Sequence, residues 1–199
     1  MQLLQHNITY IQCLIEDILA VTEQTLKASA SSVLLADQEN HELCFQFVGG
    51  PAQGILKEAR LGTETGISGW VALHGKPVMV NDVTADERFC KDMDEITGFT
   101  TRSILCAPLV ARGKLIGVIE VLNRVDGSDF SEQDLQTLVA VASIAAAAID
   151  LKLAEEALRH AQAHYVELVA NLTEKELELF SPGSPSEELA IRPDRGSRN

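Results

Sequence analysis

The sequence predicts an α+β fold, a sheet with helices flanking it. Three stretches of its 199 residues carry that prediction. Ser103 to Val110 and Leu115 to Leu122 are rich in Val, Ile and Leu and are joined by a tight Arg112-Gly113-Lys114 turn, which is the hairpin signal. At the N-terminus, Leu4, Ile8, Ile11, Ile15 and Ile18 recur at helical spacing, with Leu19 widening the apolar stripe. From Ser131 a helical composition persists to about Leu179, without a Gly or Pro before Phe180.

Taken in order, the first helix runs to about Lys27 and stops in the Ser-rich stretch from Ala28 to Ser32. Val33 to Ala36 and Glu42 to Val48 then form a hairpin across the polar loop Asp37-Gln38-Glu39-Asn40, and Gly49-Gly50-Pro51 breaks the second strand. Ile55 to Leu61 reads as a short strand. Thr65 to Gly75 is a two-turn helix that Gly75 caps and Pro77 prevents from continuing, and Pro77 to Asn81 returns as a strand. The polar segment from Asp82 to Thr101 holds a helical turn or two around Lys91 to Thr97, ended by Gly98, and a loop of that length is usually functional. The runs on either side of Gly113 are nearly continuously apolar, so these strands are central and covered on both faces. After them, Ser131 is a helix N-cap with Asp134 as a short capping-box partner, and Phe130 and Leu135 staple across the cap. So long a helix cannot be buried along its whole length, so part of it projects. The tail from Ser181 is rich in Pro, Ser and Gly, then charged, and is expected to be disordered.

The net charge of −13 argues against nucleic acid and anionic membrane surfaces, both of which want a basic patch. Cys13, Cys44, Cys90 and Cys106 are scattered, with no CxxC and no Cys/His cluster. Nothing resembles a signal peptide, and no apolar run reads as long enough to span a bilayer. The expectation is a reduced, cytoplasmic protein with free thiols.

The order of elements, together with GISGWVALHGKPVMVND, DERF, DEITGFTTRSILCAPL, GKLIGVIEVLNR and FSEQDLQTLVAVASIAAAAI, resembles a GAF domain over roughly Leu14 to Leu151. The resemblance implies a GAF-like, PAS-related antiparallel sheet of about six strands, helices on both sides and a long projecting C-terminal helix. It implies a small-molecule-sensing or dimerising module of signalling proteins, attached to an output domain. Asn123-Arg124, then Phe130, then Asp134 resembles the Asn-Lys/Phe/Asp-Glu signature of cyclic-nucleotide-binding GAF domains in phosphodiesterases and adenylyl cyclases. Here Arg124 replaces the Lys and Leu135 stands where the final Glu would be. The same residues also serve as a structural lock, a cap and staple with Arg124 pairing Asp134 to pin strand to helix.

A ligand pocket is expected around the helix that starts near Gly66. Its first-turn N–H groups, from Ile67, Ser68 and Gly69, suit a phosphate or carboxylate, and its glycines allow close approach. Trp70 can stack a planar ring, Asn81 and Asp82 can read ring edges, and Phe89, Thr100, Thr101 and Arg102 come from the loop that would close over the site. Against these stand plainer roles: turn glycines, a core Trp70 and a surface ion pair for Arg102.

The expectation is that the chain is not an enzyme. Free methionine-(R)-sulfoxide reductases of the GAF family use a Gly-x-Cys-Gly cysteine, and here Ser68 occupies that position in Gly66-Ile67-Ser68-Gly69. Cys106 falls within a central strand, and no cysteine has the His-flanked setting that a covalent bilin needs. His160 and His164 lack a third metal ligand, so no metal site is expected; the cofactor is left unassigned.

Ile144, Leu151, Leu158, Tyr165, Leu172 and Leu179 follow one another every seven residues, a coiled-coil register. The dimer seam is assigned to Leu151, Leu158, Tyr165 and Leu172, with the N-terminal helix adding a second stripe to a four-helix bundle. The expected organisation is a GAF domain with its N-terminal dimerisation helix over 1–151, a signalling helix over 152–180 and a tail over 181–199. The function read from this is a sensory module that binds a small molecule, a cyclic nucleotide among the candidates, and signals through terminal helices of a homodimer to an output domain or partner. The alternative is a ligand-free dimerisation or adaptor module.

Overall fold

The computed structural model describes residues 2–52, 54–56 and 59–179, with side chains from 12 to 172. The elements run α1 (Gln2–Leu26), β1 (Ala28–Asp37), β2 (Glu42–Val48), β3 (Arg60–Gly62), α2 (Gly66–His74), β4 (Val78–Val80), α3 (Asp92–Thr97), β5 (Ile104–Ala111), β6 (Lys114–Arg124) and α4 (Glu132–Leu179). The six strands form one sheet of order β3-β2-β1-β6-β5-β4, and every neighbouring pair is antiparallel. The α+β reading therefore holds, with six strands and helices on both faces.

Alternation along β1, β5 and β6 sorts the core into two layers. Val33, Leu105, Leu109, Ile119 and Val121 point to one face, where Ile15, Leu19 and Leu26 of α1 and Leu138, Ala142, Ala145 and Ile149 of α4 cover them. Leu34, Ile104, Cys106 and Val118 point to the other face, beneath Ile67 and Val71 of α2 and Val83. Strands covered on both sides read as unbroken apolar runs, which is why β5 and β6 are so legible in the sequence. The centre of the sheet is β1 beside β6, so the hairpin contributes one of the two central strands. Arg112 and Gly113 both have positive φ, 50° and 75°, as a two-residue hairpin turn requires, and Lys114 already pairs with Ala111.

Several boundaries move. The Ser-rich stretch after α1 is strand, not a break: β1 begins at Ala28, and Ser31 and Ser32 are buried with hydroxyl partners. Of the strand expected over Ile55 to Leu61, the described residues pair to β2 only from Arg60, in β3, and residues 57 and 58 lie outside the described residues. In α1, Leu4, Ile8 and Ile11 lie outside the described side chains, whereas Ile15 and Leu19 are buried against the sheet. The tail from Ser181, and the Leu179 side chain, also lie outside the described residues.

Helix α4 contradicts the expectation that no run is long enough to span a bilayer. By length and composition, Glu132–Leu172 is apolar enough to cross a membrane, and 28% of its most apolar window is buried. Within that helix Ala142, Ala145 and Ala146 pack on the sheet, whereas Val139, Ile144 and Leu151 are exposed. Packing divides the chain into Met1–Glu156 and Ala157–Asn199; the second unit is helical through its described residues.

The β1–β6 contact leaves no space at Gly117, where a Cβ would run into the carbonyl oxygen of Leu34. Gly117→Ala is expected to lower unfolding free energy by about 1–3 kcal/mol in a urea titration, the usual cost of overpacking.

Candidate functional site

The face of the sheet beneath α2 encloses a cavity of about 90 Å³. Its floor is polar at one point. Glu120 of β6 pairs across the sheet with Ser32 of β1 and Cys106 of β5, so three polar or thiol side chains form a row in an otherwise apolar layer. The Ser32 hydroxyl donates to one Glu120 carboxylate oxygen at 2.6 Å, and the Ser68 hydroxyl, from the first turn of α2, donates to the other. Burial pushes the Glu120 carboxyl above its ordinary value, against the lowering effect of the two hydroxyls. Burial, with Glu120 nearby, pushes the Cys106 thiol well up, so it is a poor nucleophile.

The wall opposite comes from the segment between β4 and β5. Asp94 of α3 accepts from the Thr101 backbone N–H at 2.7 Å and from its hydroxyl at 2.6 Å, which folds α3 back over Thr101. Asn123, buried in β6 with φ of 51°, closes this segment onto the sheet. Its side-chain oxygen accepts from the N–H groups of Arg102 (2.7 Å) and Ser103 (3.1 Å), and its amide nitrogen donates to the Thr100 carbonyl at 2.8 Å. The next residue, Arg124, pairs with Asp134 at 2.9 Å. Asp134 also accepts from the Ser131 N–H and hydroxyl at 2.8 Å each, and the Ser131 hydroxyl accepts from the Asp134 N–H at 3.3 Å. The cap box at the start of α4 is therefore tied to the strand that floors the cavity.

Of the residues read as ligand-binding, Gly66, Ile67, Ser68, Phe89 and Thr101 line the cavity. The others are placed elsewhere among the described residues. Gly69 is buried against the backbone of Thr63 and Glu64, and its N–H already donates to the Thr65 carbonyl at 3.1 Å, so it offers no free donor. Trp70 stacks on His74 (4.2 Å between centroids) with the Arg88 guanidinium 4.7 Å from its ring. The Asn81 amide is taken up by both backbone groups of Phe130, at 2.8 and 3.0 Å, which locks the approach to α4. Asp82 caps the turn Val83–Ala85, where bonds from Thr84 hold its carboxyl below the ordinary range. Thr100 and Arg102 are exposed, and both meet Asn123 through their backbones. Of the residues read as a structural lock, Arg124 pairs with Asp134, Asn123 bonds the segment 100–103, and Phe130 is held through its backbone by Asn81.

Glu120, Ser32 and Asp94 are cavity residues that sequence reasoning did not single out. The available signal was a lone carboxylate in the middle of the apolar run from Leu115 to Leu122.

A carboxyl whose folded value is raised holds its proton more tightly in the fold. Its contribution to stability is complete below the unfolded value and is lost as pH rises through the folded one. Glu120→Gln stays neutral throughout, so the difference in Tm should grow in the variant's favour as pH rises above the ordinary carboxylate range. A difference independent of pH would show that Glu120 titrates normally.

The GAF domain family profile matches residues 11–149. The chain is 32% identical over 138 residues to a probable 3′,5′-cyclic phosphodiesterase of Caenorhabditis elegans, an alignment covering 65% of this chain and 19% of that protein. It is 44% identical over 78 residues to the dual 3′,5′-cyclic-AMP and -GMP phosphodiesterase 11 of Drosophila melanogaster, covering 39% of this chain and 5% of that protein. The chain thus matches only a small part of these relatives. Among solved structures, the GAF domain of an Acinetobacter phosphoenolpyruvate-protein phosphotransferase superposes with a TM-score of 0.61 at 20% identity, over 76% of this chain and 96% of that one, a likeness of fold. With the family profile matched across the sheet and both of its helical layers, the chain belongs to the GAF domain family.

Proposed function

We propose that this chain is a regulatory GAF module that takes a small molecule into the cavity beneath α2 and reports its presence through α1 and α4 of a homodimer. The observation that carries the reading is the path from cavity to helix. Thr101 lines the cavity and is held by Asp94; the adjoining Arg102 and Ser103 hang from Asn123; Arg124 then reaches the cap of α4. A ligand that moves this wall acts on groups tied to α4, which is how a small local shift reaches an interface.

The same reading accounts for α4's outward side chains. Leu151, Leu158, Tyr165 and Leu172 are 53–68% exposed in the single chain, an apolar row at heptad spacing. A second copy covers such a row as a coiled coil. Helix α1 uses Ile15 and Leu19 against its own sheet, so its contribution to a dimer falls to Leu14 and Val21, which are exposed and seven apart. The domain itself is read as non-catalytic, and the setting as a cytoplasmic signalling protein with an output domain or partner.

A cyclic nucleotide is the second reading of the ligand, favoured by the cyclic phosphodiesterases among the relatives. A ligand-free dimerisation module is the competing function. Mass spectrometry of material released on denaturing purified protein is expected to find a small molecule at near-stoichiometric amount. An empty protein whose Tm no metabolite fraction raises would favour the ligand-free module. Light scattering at micromolar concentration should give a dimer for wild type and a monomer for Leu158→Asp. A monomeric wild type, or a variant that dimerises equally well, would remove α4 as the seam.

A further inference from the structure

The cavity is unusual in its charge. Two carboxyl groups line it, Glu120 and Asp94, and among the described residues no Lys, Arg or His does. Asp94 has an oxygen committed to each donor of Thr101, so it serves the wall itself. Glu120 differs. Each of its oxygens accepts one hydroxyl, which leaves acceptor capacity on both, and the group is buried at the cavity floor. A buried carboxylate is unfavourable unless it is paired, and its neighbours here are two neutral hydroxyls. Among described ionisable groups, the Cys106 thiol of β5 lies beside it in the sheet, and Asp94 and Cys90 line the same cavity; β1 presents Ser32 and α2 presents Ser68. Around it the lining is apolar and aromatic, with Phe45, Phe89, Phe99 and Met93.

An anion entering this space would meet carboxyls without a countercharge, opposed only by the partial positive end of α2. A cation meets what the site lacks. We propose that the cavity takes a small molecule carrying a protonated amine or amidine on an apolar body, its N–H donors on the Glu120 carboxylate and its body among the phenylalanines. This rests on the ligand-sensing reading above and departs from its cyclic-nucleotide form. Phenyl faces accept cations as well as apolar surface, so the lining suits both parts of such a molecule. The bound cation favours the ionised carboxyl, so binding is coupled to loss of a proton from Glu120 and weakens in acid.

The full chain is titrated with benzylamine, phenethylamine and benzamidine, and in parallel with phenylacetate, cyclic AMP and cyclic GMP, by calorimetry and thermal shift. A cationic probe is expected to bind and to raise Tm, with affinity falling about tenfold or more in Glu120→Gln, as loss of a charge-assisted hydrogen bond implies. Calorimetry of wild type at about pH 5 in two buffers of different ionisation heat should show a proton released on binding, a readout that stands even if the variant does not fold. Binding without proton release, equal binding to folded Glu120→Gln, or failure of all three cations overturns the proposal. Binding of phenylacetate or a cyclic nucleotide alone overturns the ligand class and leaves the sensing reading intact. Failure of every probe on a protein that releases nothing when denatured overturns both.

Discussion

One amide holds the functional half of this domain together. Asn123 sits at the end of a central strand in a left-handed backbone conformation that Asn tolerates better than most residues. From there its side chain satisfies three backbone groups of the incoming segment, two N–H donors and one carbonyl. A long polar connection that would otherwise leave those groups to solvent is fixed against the sheet, and with it the cavity wall. The neighbouring Arg124 fastens the same strand end to the cap of α4. Asn81 completes the joint by gripping Phe130 through both of its backbone groups. Two side chains of β6 and one just past the end of β4 therefore define where the wall ends and where the helix begins.

The two faces of the sheet divide the labour. One face is a dry layer of aliphatic side chains that gives α1 and α4 a surface to rest on. The other holds one hydrogen-bonded carboxyl, Glu120, under α2, where a purely apolar layer would pack as well or better. A buried carboxyl without a countercharge is costly to keep. Because β6 contributes to both layers, Glu120 lies four residues before Arg124, whose ion pair with Asp134 fastens the strand end to α4.

The architecture was legible where burial is two-sided and local. The runs of β5 and β6, the Gly75 and Gly98 caps with their positive φ, and the Ser131–Asp134 box all follow from neighbouring residues. Reading failed where partners are distant in sequence. Ser31 and Ser32 look like a loop until Glu23 and Glu120 are seen beside them. Asn81 and Asp82 look like ligand readers at a strand end, yet Phe130 and Thr84 occupy them. Arg102 reads as part of the loop that closes over the site, whereas its side chain is exposed and its contribution is a backbone N–H to Asn123. Five of the eleven residues read as ligand-binding line the cavity, three of them because the first turn of α2 lies over the sheet; Glu120 went unnoticed because a strand pattern shows polarity without showing what encloses it.

The dependence of the wall on Asn123 can be measured directly by amide hydrogen exchange on Asn123→Ala. The N–H groups of Arg102 and Ser103 lose their acceptor in that variant, and Val83, bonded to the Arg102 carbonyl, lies next in line. Their exchange should quicken by about tenfold or more, the equivalent of a hydrogen bond or two, while the amides of α1 keep wild-type rates. Unchanged protection across residues 100–103 would contradict the central role given to this amide.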